Sequence, residues 1–369
     1  MTTPRQDAPL AALLNDRTRR GDLWASEGDA GGLRCFACGH RCFIPSGRQG
    51  VCRVRFNDSG ILKVPWGYVA ALQCDPIEKK PFFHVLPGAR ALSFGMLGCD
   101  LHCAYCQNWV TSQALRDPEA VAPARPIEPE DLAEEAVQRG APVLASTYNE
   151  PLITSEWGVA VFKAAAARGI LGAYVSNGNA TEEVLDYIAP WVSLYKIDLK
   201  SFRDRTYRSL GGTLRAVQTS IASIVRRGIW LEVVTLVVPG LNDSMEELRD
   251  IARFLRGVSP DIPWHLTAFH PDYRMGDRPP TEARTLLDAA AMARAEGMHF
   301  VYVGNLPGSA GEFESTRCPG CSTVLVPRAG YRVGRVSLDA AGCCPRCRRA
   351  LPGRFAGGVR NPAAAPSQG

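Results

Sequence analysis

The chain has 369 residues, 46% of them hydrophobic and 21% charged, enough apolar material for a sizeable core and too much for wholesale disorder. Its formal net charge of +5 is mild for this length and demands neither a nucleic-acid nor an acidic-lipid partner, because such footprints are clustered on one face. Length alone predicts two or three domains, or one barrel-type domain with small appendages.

Residues 1–31 carry a short apolar stretch and then Gly/Asp-rich sequence without clear periodicity, expected as a flexible start. Residues 32–90 hold Cys35, Cys38, Cys42 and Cys52, a short strand expected over Leu62–Val69, and the segment Asp75-Pro76-Ile77-Glu78-Lys79-Lys80-Pro81. From Ala91 the pattern becomes regular. Short apolar runs predict buried parallel strands at Ala91–Leu97, Val143–Thr147, Gly172–Ser176, Leu194–Leu199, Leu231–Val238, Trp264–Phe269 and Phe300–Val303. Between them, helices are expected from Pro129 to Gly140, Ser155 to Arg168, Glu182 to Ala189, Leu214 to Arg227, Ser244 to Val258 and Glu282 to Glu296. Such βα alternation predicts an α/β fold, a partial (β/α)6 barrel of TIM type over residues 91–312 whose site sits at the C-terminal strand ends. Pro-rich stretches interrupt it at 117–129 and Pro271–Pro280. A second cysteine module occupies 313–355, and the Gly/Ala/Pro-rich residues 356–369 are expected as a disordered tail.

The 13 cysteines are unevenly placed, with none between residues 107 and 317, so filling the core is not their common role. No secretory signal is visible at the N-terminus, and no run approaches about 18 apolar residues. The expectation is a cytoplasmic, reducing setting without membrane association, where close-set cysteines mean metal or redox chemistry. Gly98-Cys99-Asp100-Leu101-His102-Cys103-Ala104-Tyr105-Cys106 follows directly on a predicted strand. Three thiolates on one tight loop are one short of a structural zinc site and fit a [4Fe–4S] cluster with one iron open. Zinc with His102 as a ligand, or a knuckle completed elsewhere, are the alternatives. Cys318-x2-Cys321 and Cys344-x2-Cys347 have zinc-ribbon spacing, although iron of the rubredoxin kind would use the same thiolates and the adjacent Cys343 could replace Cys344. The first set, Cys35, Cys38, Cys42 and Cys52, suits zinc or a second [4Fe–4S] cluster, with a reactive disulfide pair as a weaker alternative. His40 is read there as a loop residue, and Cys74 and Cys343 remain unassigned. Lysine is scarce: there are six, at 63, 79, 80, 163, 196 and 200.

The CxxxCxxC loop resembles the signature of the radical SAM superfamily. The resemblance implies that Cys99, Cys103 and Cys106 ligate a [4Fe–4S] cluster and that S-adenosylmethionine chelates the open iron, to be cleaved by one electron to a 5′-deoxyadenosyl radical. Tyr148-Asn149-Glu150-Pro151 is similar to the Gly-Gly-Glu motif that binds the methionine amino group; Glu150 matches the acid, while Tyr148 and Asn149 replace the glycines. Ser176-Asn177-Gly178 resembles the Thr-Asn-Gly turn near the ribose and methionyl carboxylate. Lys196-Ile197-Asp198-Leu199-Lys200 resembles the Asp-Leu-Lys segment of glycyl-radical-enzyme activases, as do Val238-Pro239-Gly240 and Phe269-His270-Pro271. The cofactor set implied is Asn149, Glu150, Ser176, Asn177, Asp198, Lys200 and His270.

A narrower likeness is carried by Asp75–Pro81, Phe83-His84-Val85-Leu86-Pro87-Gly88, Cys106-Gln107-Asn108-Trp109, Tyr148–Pro151 and Val303-Gly304-Asn305. Over about residues 33–355 the chain resembles the AmmeMemoRadiSam system radical SAM enzymes, often labelled pyruvate formate-lyase activating enzyme-like. That implies Memo-type and AMMECR-type protein partners and a reductant such as flavodoxin or ferredoxin. The expected function is hydrogen abstraction from a substrate still to be identified, small or macromolecular. One alternative is a glycyl-radical-enzyme activase. Another, from a different class, is a zinc-dependent nucleic-acid-binding or scaffold protein, which would explain the four-cysteine sets but not the barrel pattern.

Overall fold

The computed structural model describes residues 14–28, 31–120 and 122–355. The first part of the expected flexible start, and the whole expected tail at 356–369, lie outside the described residues.

Eight strands form one sheet: β1 (Ala71–Pro76), β2 (Arg90–Gly95), β3 (Val143–Ser146), β4 (Leu171–Ser176), β5 (Leu194–Asp198), β6 (Trp230–Val237), β7 (Trp264–Ala268) and β8 (Val301–Gly304). They lie side by side in sequence order, and β2 through β8 run parallel. The sheet is open, since β1 and β8 each have one neighbour. The seven strands expected from the apolar runs are β2–β8, each within two residues of its expected bounds. Both faces are covered, so the runs are continuous rather than alternating; all four residues of β3 are buried.

The helices that cross over between these strands are α1 (Pro129–Gln138), α2 (Ser155–Ala166), α3 (Glu182–Ile188), α4 (Leu214–Arg226), α5 (Met245–Val258) and α6 (Ala283–Ala295). Their starts are set by local chemistry. Pro129 opens α1, where its missing N–H costs nothing. Thr181 and Ser244 cap α3 and α5 by accepting from Val184 N at 3.1 Å and Glu247 N at 3.3 Å. The buried face of α5 carries Leu248, Ile251, Ala252 and Leu255 at helical spacing.

The structure departs from the sequence reading at its edges. The antiparallel edge strand β1, paired from Ala71↔Gly95 to Pro76↔Arg90, was not anticipated. It lies in a motif-bearing segment whose side chains are only half-buried, so it has no buried-strand pattern. The single strand expected over 62–69 is two, Ile61–Pro65 and Tyr68–Val69. The break falls where Pro65 ends the donor series and Gly67 turns with φ +71°. The boundary expected between 31 and 32 cuts through paired strands. Trp24–Ser26 pairs with Leu33–Cys35, and Thr18–Arg20 with Ile61–Pro65, because hairpins this short need a third strand to persist.

Both ends are fastened to the central sheet by buried polar contacts. Arg55, from the N-terminal module, donates Nη1 to Glu156 Oε2 at 2.7 Å and Nη2 to Oε1 at 2.8 Å, with side chains 1% and 0% exposed. Glu156 stands in the first turn of α2 and also accepts from Asp22 N at 3.1 Å. At the C-terminal end, Arg328 donates to Phe83 O at 2.6 Å and to Thr316 Oγ1 at 2.7 Å. Glu232 on β6 accepts the backbone N–H groups of Phe83 and His84 at 3.0 and 2.9 Å and meets His265 Nε2 at 2.7 Å. The Phe83-His84 motif is thereby explained as an anchor. No helix among the described residues is long and apolar enough to cross a membrane.

Removing one partner of a buried ion pair strands the other, a loss of about 3–5 kcal/mol. Glu156→Gln should therefore lower the unfolding free energy by about that amount in a urea titration. Burial opposes ionisation of Glu156, yet Arg55 holds its carboxyl below the usual range. Its contribution is thus present above the unfolded-state value and lost as pH falls through the lower folded one. The gap between wild type and variant should narrow on acidification.

Candidate active site

The chain leaves β2 at Gly95 and turns at Gly98, whose φ of +92° favours glycine. A Cβ there would lie 2.9 Å from Val54 Cγ1 and 3.2 Å from the carbonyl oxygen of Cys52. The loop that follows carries Cys99, Cys103 and Cys106 into a cavity of about 420 Å³ at the C-terminal ends of the strands, within the size range of cofactor pockets. The same cavity is bordered by Asn149 and Glu150 after β3, Ser176 and Asn177 at the end of β4, and Lys196, Asp198 and Lys200 around the end of β5.

All three thiols are free. Burial pushes Cys103 up to about 11 and holds Cys99 and Cys106 above the ordinary thiol range. They therefore become thiolates by binding a metal rather than by free titration. Polar groups already contact the sulfurs: Leu101 N donates to Cys99 Sγ at 3.4 Å, and Ser112 Oγ and Cys106 Sγ share a hydrogen bond at 3.2 Å. His102 packs on Gly211 and does not border the cavity, which leaves the loop without a fourth ligand from its own residues.

Asp100, fully buried between the first two loop cysteines, was not singled out from the sequence. Its Oδ1 accepts from Asn177 Nδ2 at 2.7 Å and its Oδ2 from Asn179 Nδ2 at 2.8 Å, locking the cysteine loop to the turn after β4. An acid inside a cysteine loop, with two asparagines after a later strand, was the available signal. Glu150 accepts three hydrogen bonds, from Ser176 Oγ at 2.7 Å, Asn177 N at 2.8 Å and Leu152 N at 3.0 Å. Burial, then the nearby Asp100, raises its carboxyl above the usual range. Asn149 is similarly engaged, its Oδ1 accepting from Met96 N at 3.0 Å. These two side chains shape the turns while bordering the cavity.

Asp198 bridges both lysines of its motif. It pairs with Lys196 Nζ and, at 3.3 Å, with Lys200 Nζ. Burial opposes its ionisation, but the two ammonium groups hold it below the usual carboxylate range. Burial likewise opposes the charge on Lys200, and Asp198 and the Cys103 sulfur outweigh it. A second lysine site, also absent from the expected set, lies at the cavity edge. Lys80 Nζ donates to Asp75 Oδ2 at 3.1 Å and to Tyr148 Oη at 2.9 Å. Tyr148 replaces a motif glycine and keeps a glycine-like φ of +68°. Asn305 of the Val303-Gly304-Asn305 motif also borders the cavity.

His270, expected in the cofactor set, stands apart from the others. It is exposed and lies outside the cavity lining; its Nε2 faces Gln107 Nε2 at 3.1 Å, and Gln107 is the residue that reaches the cavity.

The two four-cysteine sets differ. Cys318 Sγ lies 3.4 Å from Cys347 Sγ, and Cys321 Sγ 3.6 Å from Cys344 Sγ. A single tetrahedral ion with bonds of about 2.3 Å needs sulfurs about 3.8 Å apart, so these four are set for one ion. Cys343 turns away toward Ala341 O at 3.8 Å. Among the described residues this is the only group of three or more His, Cys, Asp or Glu whose ligand atoms all lie within 4.8 Å of one another. Neither the sulfurs of the Cys99 loop nor those of Cys35, Cys38, Cys42 and Cys52 form such a group. Cys74 lies on β1 apart from these sets.

The radical SAM superfamily model matches residues 95–255. An uncharacterized protein of Methanocaldococcus jannaschii is 36% identical over 309 residues, covering 83% of this chain and 91% of its own length. Isethionate sulfite-lyase activating enzyme of Oleidesulfovibrio alaskensis is 30% identical over 146 residues, 38% of this chain and 44% of that protein. Pyruvate formate-lyase-activating enzyme of Clostridium pasteurianum is 24% identical over 182 residues, 47% and 71% respectively. The chain belongs to the radical SAM superfamily and is an enzyme of that type. Membership implies a [4Fe–4S] cluster and S-adenosylmethionine, and a cavity lined by three free thiols on one loop suits both.

At the C-terminal module, Cys321→Ser should release about one bound metal ion per chain and lower the thermal midpoint if these four sulfurs hold an ion, because a module this small gains folding free energy from its metal. Metal analysis beside a melting curve tests this. Unchanged metal content would show that the four sulfurs hold no ion.

Proposed function

We propose that this chain cleaves S-adenosylmethionine reductively at a [4Fe–4S] cluster held by Cys99, Cys103 and Cys106, and uses the product to abstract hydrogen from a substrate. The observation that carries this reading is the convergence of three free thiols, and no fourth from the same loop, on one cavity with the ends of β4 and β5. When bound, the cluster and S-adenosylmethionine supply the one-electron chemistry that gives a 5′-deoxyadenosyl radical.

The chain's own part is orientation and charge. Ser176 and Asn177 present the turn after β4 to the cofactor, with Glu150 and Asp100 fixing that turn from beneath. Lys200, within electrostatic reach of Cys103 and Cys106, offsets the negative charge of thiolate ligation. Asp198 keeps Lys196 and Lys200 at the strand end, where they also attract a carboxylate or phosphate. The C-terminal four cysteines are assigned to structural zinc, from the tetrahedral spacing of their sulfurs. A flavodoxin or ferredoxin is the expected reductant.

The narrower likeness to AmmeMemoRadiSam system enzymes, with Memo-type and AMMECR-type partners, is retained for the motifs outside the cysteine loop. It is supported by the roles of Lys80, His84 and Asn305, each of which either borders the cavity or anchors a segment that does. Activation of a glycyl-radical enzyme is the second reading, favoured by the two relatives whose names are activating enzymes. The nucleic-acid-binding alternative is not adopted, because it leaves the cavity without a use.

Anaerobic reconstitution with iron and sulfide should give a broad absorption near about 400 nm that falls by the share of one cluster in a Cys99/Cys103/Cys106 triple alanine variant. Dithionite and S-adenosylmethionine should then yield 5′-deoxyadenosine from wild type and none from the variant. Product from the variant, or none from a loaded wild type, refutes the assignment.

A further inference from the structure

The N-terminal cysteines are left unused by the chemistry above, yet they are organised. The strand pair Leu33–Cys35 and Phe43–Ile44 brings Cys35 N to Cys42 O at 3.0 Å, and the turn between them closes with Arg41 N donating to Cys38 O at 3.0 Å. A second turn, with Gly50 N on Arg55 O at 2.9 Å and Arg53 N on Gly50 O at 3.0 Å, presents Cys52. A Cβ on Gly50 would sit 3.5 Å from Cys42 Sγ, so the two turns face each other at close range. Cys35 is within electrostatic reach of Cys38, Cys42 and Cys52. All four are free thiols, and three of them are buried.

Burial holds the Cys38, Cys42 and Cys52 thiols above their ordinary range, and backbone donors partly oppose it. Backbone N–H groups of His40, Val51, Val54 and Arg55 point at the sulfurs of Cys38, Cys42 and Cys52. The buried Arg55 guanidinium lies within electrostatic reach of Cys35 and Cys52. Unlike the C-terminal set, where paired sulfurs stand 3.4 and 3.6 Å apart, these four do not form a group of ligand atoms all within 4.8 Å of one another. A cubane asks for wider spacing than a single ion, because each sulfur binds a different iron.

The module also sits directly behind the active-site loop. His40 Nε2 contacts the Asp100 carbonyl oxygen at 3.1 Å, and Gly39 N donates to Asn179 O at 2.7 Å. The Asp100 carboxylate reaches Cys38 and Cys42 electrostatically, as well as Cys99 and Cys103. From Cys38 the path runs through Gly39 to His40, across one hydrogen bond to Asp100, and then to its chain neighbour Cys99.

We propose that Cys35, Cys38, Cys42 and Cys52 hold a second [4Fe–4S] cluster that hands single electrons to the centre at Cys99, Cys103 and Cys106. The cluster assignment stands on the N-terminal geometry; the relay rests on the function proposed above. A donor protein of the flavodoxin or ferredoxin class is oxidised by one electron as the N-terminal cluster goes from 2+ to 1+. That electron then reduces the Cys99-loop centre and returns the N-terminal cluster to 2+. No bond or proton is exchanged in either transfer.

The test uses the full chain, reconstituted anaerobically, and the Cys99/Cys103/Cys106 triple alanine variant, in which the N-terminal module is untouched. Wild type should hold about eight irons and the variant about four, with matching sulfide. The reduced wild type should give an electron paramagnetic resonance signal broadened by coupling between two clusters. The variant should give the unbroadened signal of one. Loss of all iron from the variant, or a second zinc in its place, overturns the second cluster while leaving S-adenosylmethionine cleavage by wild type intact. Two uncoupled signals in wild type overturn the relay. A variant with about four irons beside a wild type that forms no 5′-deoxyadenosine retains the second cluster and removes the proposed function instead.

Discussion

The buried carboxylate of Asp100 is the constraint on which the site depends. A charge placed in the interior must be matched by donors, and this one takes the side-chain amides of Asn177 and Asn179. Those bonds fix the cysteine loop after β2 to the turn after β4, two segments more than seventy residues apart in sequence. The carbonyl of the same residue meets His40, so one residue holds the loop, the turn and the N-terminal module in register. Asp100 also contributes to raising the Glu150 carboxyl. Glu150 nevertheless stays in place through three donors of its own, two of them from the residues Ser176 and Asn177 that it positions.

Cations near the cavity follow a different rule from those on the surface. Arginine dominates the chain, yet Lys80, Lys196 and Lys200 are the basic side chains seated in the interior of the lining, each bonded to an aspartate. An ammonium on a thin stem passes between packed strand ends where a planar guanidinium would not. Arginine takes the buried positions that need a fork. Arg55 spans both oxygens of Glu156, and Arg328 reaches Phe83 O and Thr316 Oγ1 together. The scarcity of lysine was therefore an informative sequence feature, although it could not show that Lys80 would meet Tyr148 across 68 positions.

What was legible in the sequence was whatever repeats or follows local rules. Continuous apolar runs marked β2–β8, and caps or an initial proline marked the helices, because burial on both faces and end effects act within a few residues. Close cysteine spacing marked all three sulfur groups for the same reason. Contacts set by tertiary geometry were not legible. β1 carries no strong alternation, and its pairing is set by β2 beside it. Asp100 and Asn179 look like ordinary loop polar residues until the sheet brings them together. His270, expected near the cofactor from its place after a strand, is exposed and outside the cavity lining, which Gln107 joins instead.

The arrangement of the ends separates two tasks that a radical enzyme must keep apart. Tyr331, from the C-terminal module, borders the cavity together with Lys79 and Lys80, so that module shares the face open to substrate. Among the described residues, none from the N-terminal strands through Asp58 borders the cavity, although the same segment touches the cysteine loop at Gly98 and Asp100. A reducing equivalent entering from behind the loop therefore need not cross the space in which a reactive radical is formed. An electron can pass through packed protein, whereas the substrate needs an open path. In the proposed arrangement, buried sulfur on one side of a single loop and a polar cavity on the other would meet both requirements.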